Sequence, residues 1–327
     1  MITPPWIQAQ LARLLQQPGH ALLLHGPSGL GQYTLALGLA QAWLCEQPGG
    51  AGACGQCTSC HAIAVRTHAD LSVLMPETVM LALGWPLAEK AQTEIDDKRR
   101  KASKEIRVDA MRDAVEFSQR TSARGRGKVV LVYPAEDMNA ITANTLLKTL
   151  EEPAGDVRLI LASEAAHQLL PTIRSRCLGH TMMWPTEAQA LQWLEGEGVA
   201  GSDAAVLLRA AGGRPEDALR AAQAGRSARQ WSQLPKAVAR GEVAALADFS
   251  PAQALGALQK VCHDLLSVRA GAAPRFFLPA DLPPPPSATQ LAAWWRELGT
   301  AVRSAEHPFH PGLMLEALVS RARSALH

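Results

Sequence analysis

Three places in the 327-residue sequence combine residue types and spacings capable of chemistry. The densest is Cys45-x8-Cys54-x2-Cys57-x2-Cys60, four of the six cysteines within one short stretch. A tetrahedral Zn²⁺ in a structural role takes four soft ligands and keeps no open position. The intervening residues are small and turn-prone, so the backbone can wrap an ion, and His61 is surplus to a completed shell. Unpaired thiols or two disulfides are the competing reading, disfavoured in a reducing compartment. A catalytic zinc is disfavoured because no ligand is missing.

The second place is Gly26-Pro27-Ser28-Gly29-Leu30-Gly31, between a short apolar run and a helical pattern. This is the frame of G-x-x-x-x-G-K-[ST], in which backbone N–H groups cradle phosphates, the Lys reaches them and the hydroxyl holds Mg²⁺. Here the two chemical positions are Gln32 and Tyr33. Gln carries no charge, Tyr offers no small hydroxyl, and Thr34 is one residue late, about 100° further round a helix. A second acidic element is missing too. The run Val129–Val132 is followed by Tyr133-Pro134-Ala135, with acids only at Glu136 and Asp137. Nucleotide hydrolysis needs an acid at that strand end to hold the metal. The expectation is therefore a degenerate loop (Gly26, Gly31, Gln32, Tyr33) with no functional ATP site, and passive nucleotide binding through the glycines is the weaker alternative.

The third place is Arg174-Ser175-Arg176-Cys177. Alone, two arginines read as solvated surface charge. Beside a phosphate loop without its catalyst they read differently, because an arginine can act on a phosphate held by a neighbouring subunit, at roughly 10³ to 10⁵ in rate.

The elements that must position these residues follow from hydrophobic patterning. Short, nearly continuous apolar runs at Ala21–His25, Leu71–Met75, Val129–Tyr133 and Val157–Ala162 suit a parallel sheet covered on both faces. Asn139 to Glu152 reads as a helix stopped by Pro153. Beyond about residue 180 the strand signals stop, and Ala252–Arg269 and Gln290–Ser304 carry helical spacing. Gly212-Gly213-Arg214-Pro215 breaks that region and is expected to close a small intermediate domain. Ala273 to Ser287, with Pro283 to Pro286, reads as a stiff connector. Residues 88–107 are dense in both charge signs, as in a solvated helix or flexible insertion, with a basic DNA-contact surface as the minor alternative. Arg120, Arg124, Arg126 and Lys128, interleaved with glycines, read as a mobile surface loop, with phosphate tracking as the alternative.

Composition bounds the rest. Hydrophobic residues make up 47% and the formal net charge is +2, which argues against coating nucleic acid through bulk charge. Aromatic residues, at 5%, are too few for a stand-alone base-stacking binder. No apolar run of about 18 residues occurs, and the N-terminus lacks a signal-peptide layout, so no membrane association and a cytoplasmic location are expected.

The order of these features resembles bacterial clamp-loader AAA+ subunits. The similarity runs through the glycine frame, the four cysteines, Ala143-Asn144-Thr145-Leu146-Leu147-Lys148-Thr149-Leu150-Glu151-Glu152-Pro153 and Ser175-Arg176-Cys177, and covers about the first 210 residues. It continues weakly into His307-Pro308-Phe309 and Leu313–Leu318. Motor subunits of that family keep Lys and Thr in the loop and an Asp-Glu pair after the strand, so this chain is most similar to the stationary type.

The resemblance implies an α/β P-loop-type (AAA+) domain with a parallel sheet at 1–180, embedding a zinc module at 45–60. It also implies a small helical lid domain at 181–222 and an all-α collar domain for oligomerisation at 223–327. By the same resemblance, Arg176 is a finger acting in trans and Cys45, Cys54, Cys57 and Cys60 bind structural Zn. The implied assembly is a hetero-pentamer with motor ATPase subunits and delta, reaching primed DNA and the sliding clamp through the complex. Gly213-Arg214 lies near the lid position of a motor subunit's sensor arginine, and Ser163-Glu164 near that of its polar sensor. Neither is assigned a catalytic role.

Overall fold

The computed structural model describes residues 3–50, 52–303 and 310–327. They form two compact units, divided after Pro185.

The first unit runs α1 (Pro5–Leu14), β1 (Ala21–His25), α2 (Gln32–Leu44), α3 (Thr58–Ala64), β2 (Leu71–Leu74), α4 (Glu77–Ala82), α5 (Glu89–Asp96) and α6 (Val108–Gln119). It continues with β3 (Lys128–Val132), α7 (Ala140–Glu151), β4 (Val157–Ser163), α8 (Pro171–Arg174) and β5 (Leu178–Thr181). The strands form one sheet in the order β2-β3-β4-β1-β5, and every pairing is parallel. Parallel strands must be covered on both faces, and their apolar runs permit it. One face meets α6 and α7 through Leu23, Val130, Leu159, Met111 and Leu146. α2 packs against β1, β3 and β4 with Leu35 and Leu39 fully buried. This is the α/β P-loop-type (AAA+) architecture expected from the sequence.

β5 carries no apolar run, so hydrophobic patterning does not mark it. It is an edge strand, held by Gln10 of α1, whose amide oxygen meets His180 Nε2 at 2.9 Å and accepts the Met183 N–H at 2.8 Å. α7 starts at Asn139, whose side chain accepts the Thr142 N–H at 3.0 Å, and ends just before Pro153.

Residues 88–107 hold one short helix, α5, with no buried residue, in keeping with their charge density. Beyond α5 the segment is anchored. Arg100 bonds Glu77 at 2.5 and 2.8 Å and Glu94 at 2.8 Å, and Glu77 also accepts the Ser103 N–H. The basic stretch 120–128 departs from expectation in the same way, being pinned rather than mobile. Asp70, fully buried, accepts from the N–H groups of Ala123 and Arg124, the Ser122 hydroxyl and Lys128 Nζ at 2.8–3.3 Å. Burial alone would push the Asp70 carboxyl up, but these donors hold it below its ordinary value. Lys128 is buried against the Phe117 ring, which removes it from any phosphate-tracking surface.

The second unit is helical: α9 (Glu187–Gly196), α10 (Gly201–Ala210), α11 (Pro215–Gln223), α12 (Ala228–Ala239), α13 (Pro251–Arg269), α14 (Ala288–Val302) and α15 (Pro311–Leu326). It holds two apolar clusters. One joins α9, α10 and α11 through Leu194, Leu207 and Ala218, and the larger joins α12 to α15 around Trp231, Leu258 and Trp294. Gly212 and Gly213 turn α10 into α11 inside the first cluster rather than at its end. The 273–287 connector is anchored by Phe277, stacked on Trp231 at 4.7 Å, and by the buried Asp264, which accepts the N–H groups of residues 275–277. Leu313–Leu318 lies on α15, while His307-Pro308-Phe309 falls outside the described residues. Among the described residues no helix is long and apolar enough to cross a membrane.

Candidate functional site

The glycine loop sits where open α/β sheets place ligands, at the carboxyl end of β1 and the N-terminus of α2. Glycine is required at three of its positions, Gly29 among them at φ +77°. A Cβ on Gly26 would lie 2.9 Å from Met182 Cβ, and Gly31 starts α2 at φ +94°, the left-handed region. The loop backbone thus has the shape the motif predicts, and its chemistry rests on the side chains that open α2.

Gln32 turns back onto the loop. Its amide nitrogen donates to the carbonyls of Gly26 at 2.9 Å and Pro27 at 2.7 Å, and the residue is buried. Tyr33 points towards the ends of the sheet strands, with its ring 5.4 Å from that of Tyr133, just past β3. Trp85 Nε1 donates to the Tyr33 hydroxyl at 2.7 Å, and burial raises the Tyr33 pKa. The Tyr133 hydroxyl donates to Glu164 at 2.9 Å, and the Glu164 N–H donates to Glu136 at 2.9 Å. The corner is therefore spanned by the chain's own contacts from α2, β3 and β4. Glu136 and Asp137 lie on the turn after β3. Burial, then the charges of Glu136 and Glu105, push Asp137 up to about 6. The Trp85 and Glu164 contacts carry no sequence signal, because each partner is remote along the chain.

The four cysteines come together. Their sulfurs lie within 4.8 Å of one another, with Cys45–Cys57 at 3.8 Å and Cys54–Cys60 at 4.0 Å. Four sulfurs at about 2.3 Å from one tetrahedral ion would sit about 3.8 Å apart, so the donor set fits zinc. The same spacing is far beyond the roughly 2 Å of a disulfide bond. α2 delivers Cys45 at its end, and Cys57 caps α3 by accepting the Cys60 N–H at 3.4 Å. N–H groups also reach Cys45 at 3.3 Å and Cys54 at 3.4 Å, as suits thiolates. His61 is exposed, outside the sulfur shell. Glu46, next to Cys45, accepts from Ser59 and from Arg124 Nη1 at 3.0 Å, tying the module to the loop that Asp70 organises.

Arg176 lies just past α8 and is two-thirds covered. Its Nε bonds Glu151 Oε1 at 2.6 Å, Nη2 reaches the same oxygen, and Nη1 donates to the Thr172 carbonyl at 3.0 Å. It lies apart from the chain's own glycine loop in sequence and element. In the sequence Glu151 is visible only as part of a motif. Leu146 and Leu150 of that motif are buried in the core, and Lys148 is exposed.

Comparison with known proteins places the chain among relatives. The family model described as DNA polymerase III, delta subunit, matches residues 7–183, more than half of the chain. DNA polymerase III subunit delta-prime of Pseudomonas aeruginosa is 43% identical over 192 residues, covering 58% of this chain and 52% of that protein. The Escherichia coli subunit of the same name is 34% identical over 221 residues, covering 66% and 59%. The chain thus spans between half and three fifths of these relatives' length. A gamma subunit-related protein of Thermotoga maritima superposes with a TM-score of 0.49 at 16% identity, covering 98% of this chain and 99% of that one. With a family match across most of the α/β unit and delta-prime subunits as its relatives, the chain belongs to the DNA polymerase III delta-subunit family, on its delta-prime side.

Proposed function

We propose that the chain is the non-hydrolysing stator subunit of the DNA polymerase III clamp loader. In this reading it helps load the sliding clamp onto primed DNA while a neighbouring subunit hydrolyses ATP. The observation that carries the reading is Gln32 bonded onto the loop carbonyls, with Tyr33 and Tyr133 in contact beside it. Phosphoryl transfer needs a cation and a metal at that corner, and an uncharged amide already engaged by Gly26 and Pro27 supplies neither.

Arg176 is the group offered to the neighbour. Its pair with Glu151 is about half exposed, and such pairs are worth only about 0–1 kcal/mol. A phosphate held by another subunit outcompetes one carboxylate easily, and Arg176 then stabilises charge developing on the transferred group. Cys45, Cys54, Cys57 and Cys60 hold a structural zinc, which fixes the turn between α2 and α3 and does no chemistry. The helical unit supplies a lid at 181–222 and a collar at 223–327, through which the chain joins motor subunits and delta in a hetero-pentamer. The complex works in the cytoplasm, and DNA and clamp are reached through it.

The test is equilibrium binding of a fluorescent ATP analogue with Mg²⁺ to the purified chain. No saturation up to millimolar nucleotide is the expected result. Tight Mg²⁺-dependent binding supports the second reading, an ATP-hydrolysing motor subunit of the same loader, for which the intact Gly26 and Gly31 frame speaks.

A further inference from the structure

The helical unit carries a second cationic site, independent of the glycine loop and of Arg176. A pocket of about 330 Å³ opens between α10, α11, α12 and α13. Four cations line it (Arg214, Arg220, Arg226 and Lys260) against one carboxylate, Asp217. Asp217 is shared, bonding Arg214 Nε at 3.0 Å and Arg220 Nη2. Among the described residues no carboxylate lies within ion-pairing distance of Lys260 or Arg226. Lys260 Nζ donates to the Ala210 carbonyl at 2.7 Å and sits 5.4 and 5.5 Å over the rings of Trp231 and Phe276. Arg226 lies 4.2 Å over Phe249, with Asp248 acting on it only from beyond pairing distance.

Carbonyls and ring faces moderate a half-buried cation but do not neutralise it. The strain is visible in Lys260. Burial, then the charge of Arg214, opposed by Asp217 and seconded by Arg226, brings its pKa down to about 8. Small side chains (Ala211, Ala221 and Ala224) leave the room between the cations open. Forked guanidinium donors arranged about one space match the several oxygens of a tetrahedral oxyanion better than a monovalent sphere.

We propose that this pocket binds a phosphate group, with Lys260 and Arg226 as its principal ligands and Arg220 at its rim. The phosphate comes either from a free small molecule or from a nucleic-acid backbone, and the two share the chemistry named here.

The experiment is thermal unfolding of the full chain in inorganic phosphate against chloride at matched ionic strength, repeated with a single-stranded oligonucleotide. Lys260→Met and Arg226→Gln are run in parallel. Phosphate is expected to raise Tm of the native chain saturably. Each variant weakens the apparent affinity about tenfold or more, the worth of one charge-assisted hydrogen bond. Lys260→Met removes a strained charge, so it melts at or above the native chain without phosphate, which separates lost binding from lost folding. An oligonucleotide effect that saturates at lower concentration and depends on Lys260 makes the nucleic-acid backbone the source. An effect of inorganic phosphate alone makes it a free phosphate. Equal melting in phosphate and chloride, or a phosphate response unchanged in both variants, overturns the proposal.

Discussion

Arg176 is held against Glu151, so Ser175-Arg176-Cys177 meets the C-terminal end of the motif that closes α7. Two stretches that sequence reading treats separately share one ion pair, and the arginine has a defined resting place.

From this pair comes the first prediction. Arg176→Ala should lower the ATPase rate of the reconstituted complex by roughly 10³ or more, while changing the chain's own stability by less than about 1 kcal/mol. Arg176→Lys should rescue little, because a lysine loses the fork geometry. Glu151→Gln should leave both the rate and the melting nearly unchanged. Steady-state hydrolysis by complexes carrying each variant decides the matter, and an undiminished rate with Arg176→Ala removes the finger assignment.

Restoring the two motif residues should not restore the site. Gln32→Lys with Tyr33→Thr replaces the missing charge and hydroxyl, yet Tyr133 still stands just past β3, where the motif needs an acid. Nucleotide titration of the double variant should show no micromolar binding. Micromolar Mg²⁺-dependent binding would mean that Gln32 and Tyr33 alone close the corner.

Metal analysis should find one zinc per chain. At a thousandfold excess over its dissociation constant a ligand adds about 4 kcal/mol to stability, so chelation should lower Tm markedly. The loosening should extend to 120–127 through the Glu46–Arg124 bond, read as faster amide exchange there. Cys60→Ser should do the same without chelator. Exchange in 120–127 that ignores chelation contradicts the coupling.

Two acids should give opposite pH signatures. The Asp70 pKa is depressed, so its stabilisation is present above the ordinary carboxylate value and is lost as pH falls through the folded value. Asp70→Asn, leaving Lys128 without its carboxylate, should cost about 3 kcal/mol at pH 7. Asp137 is raised, so the folded chain holds its proton more tightly than the unfolded one. Stability from that source is present below the ordinary value and is lost as pH rises to about 6. Asp137→Asn should therefore raise Tm at pH 7 and have little effect near pH 4. Melting curves of the two variants from pH 2 to 7 check both signs, Asp70 below about pH 4 and Asp137 between about 4 and 6.

Much of the α/β unit is legible because parallel strands must be apolar on both faces, and four of the five announce themselves as short runs. β5 is not, since an edge strand of Leu-Gly-His-Thr takes its place from Gln10 and from pairing with β1 rather than from its own hydrophobicity. The glycine loop and the cysteine spacing are legible because backbone shape and ligand geometry restrict residue type locally. What Gln32 and Tyr33 do instead is not, because Trp85 and Tyr133 are distant in sequence and no local rule selects them. The 120–128 stretch misleads for the same reason. Glycines and arginines suggest mobility, but one buried carboxylate some fifty residues upstream collects their donors.

The anchored connector between α13 and α14 has a consequence for how the helical unit can be cut and rejoined. With Phe277 buried and stacked on Trp231 and three backbone amides held by Asp264, residues 275–277 are fixed to the helices they join although their flanks are exposed. Proteases should pass over residues 275–277 although no helix protects them, and a flexible replacement of equal length would span the gap while leaving Trp231 uncovered. The linker is a wall of the building, not a corridor between rooms.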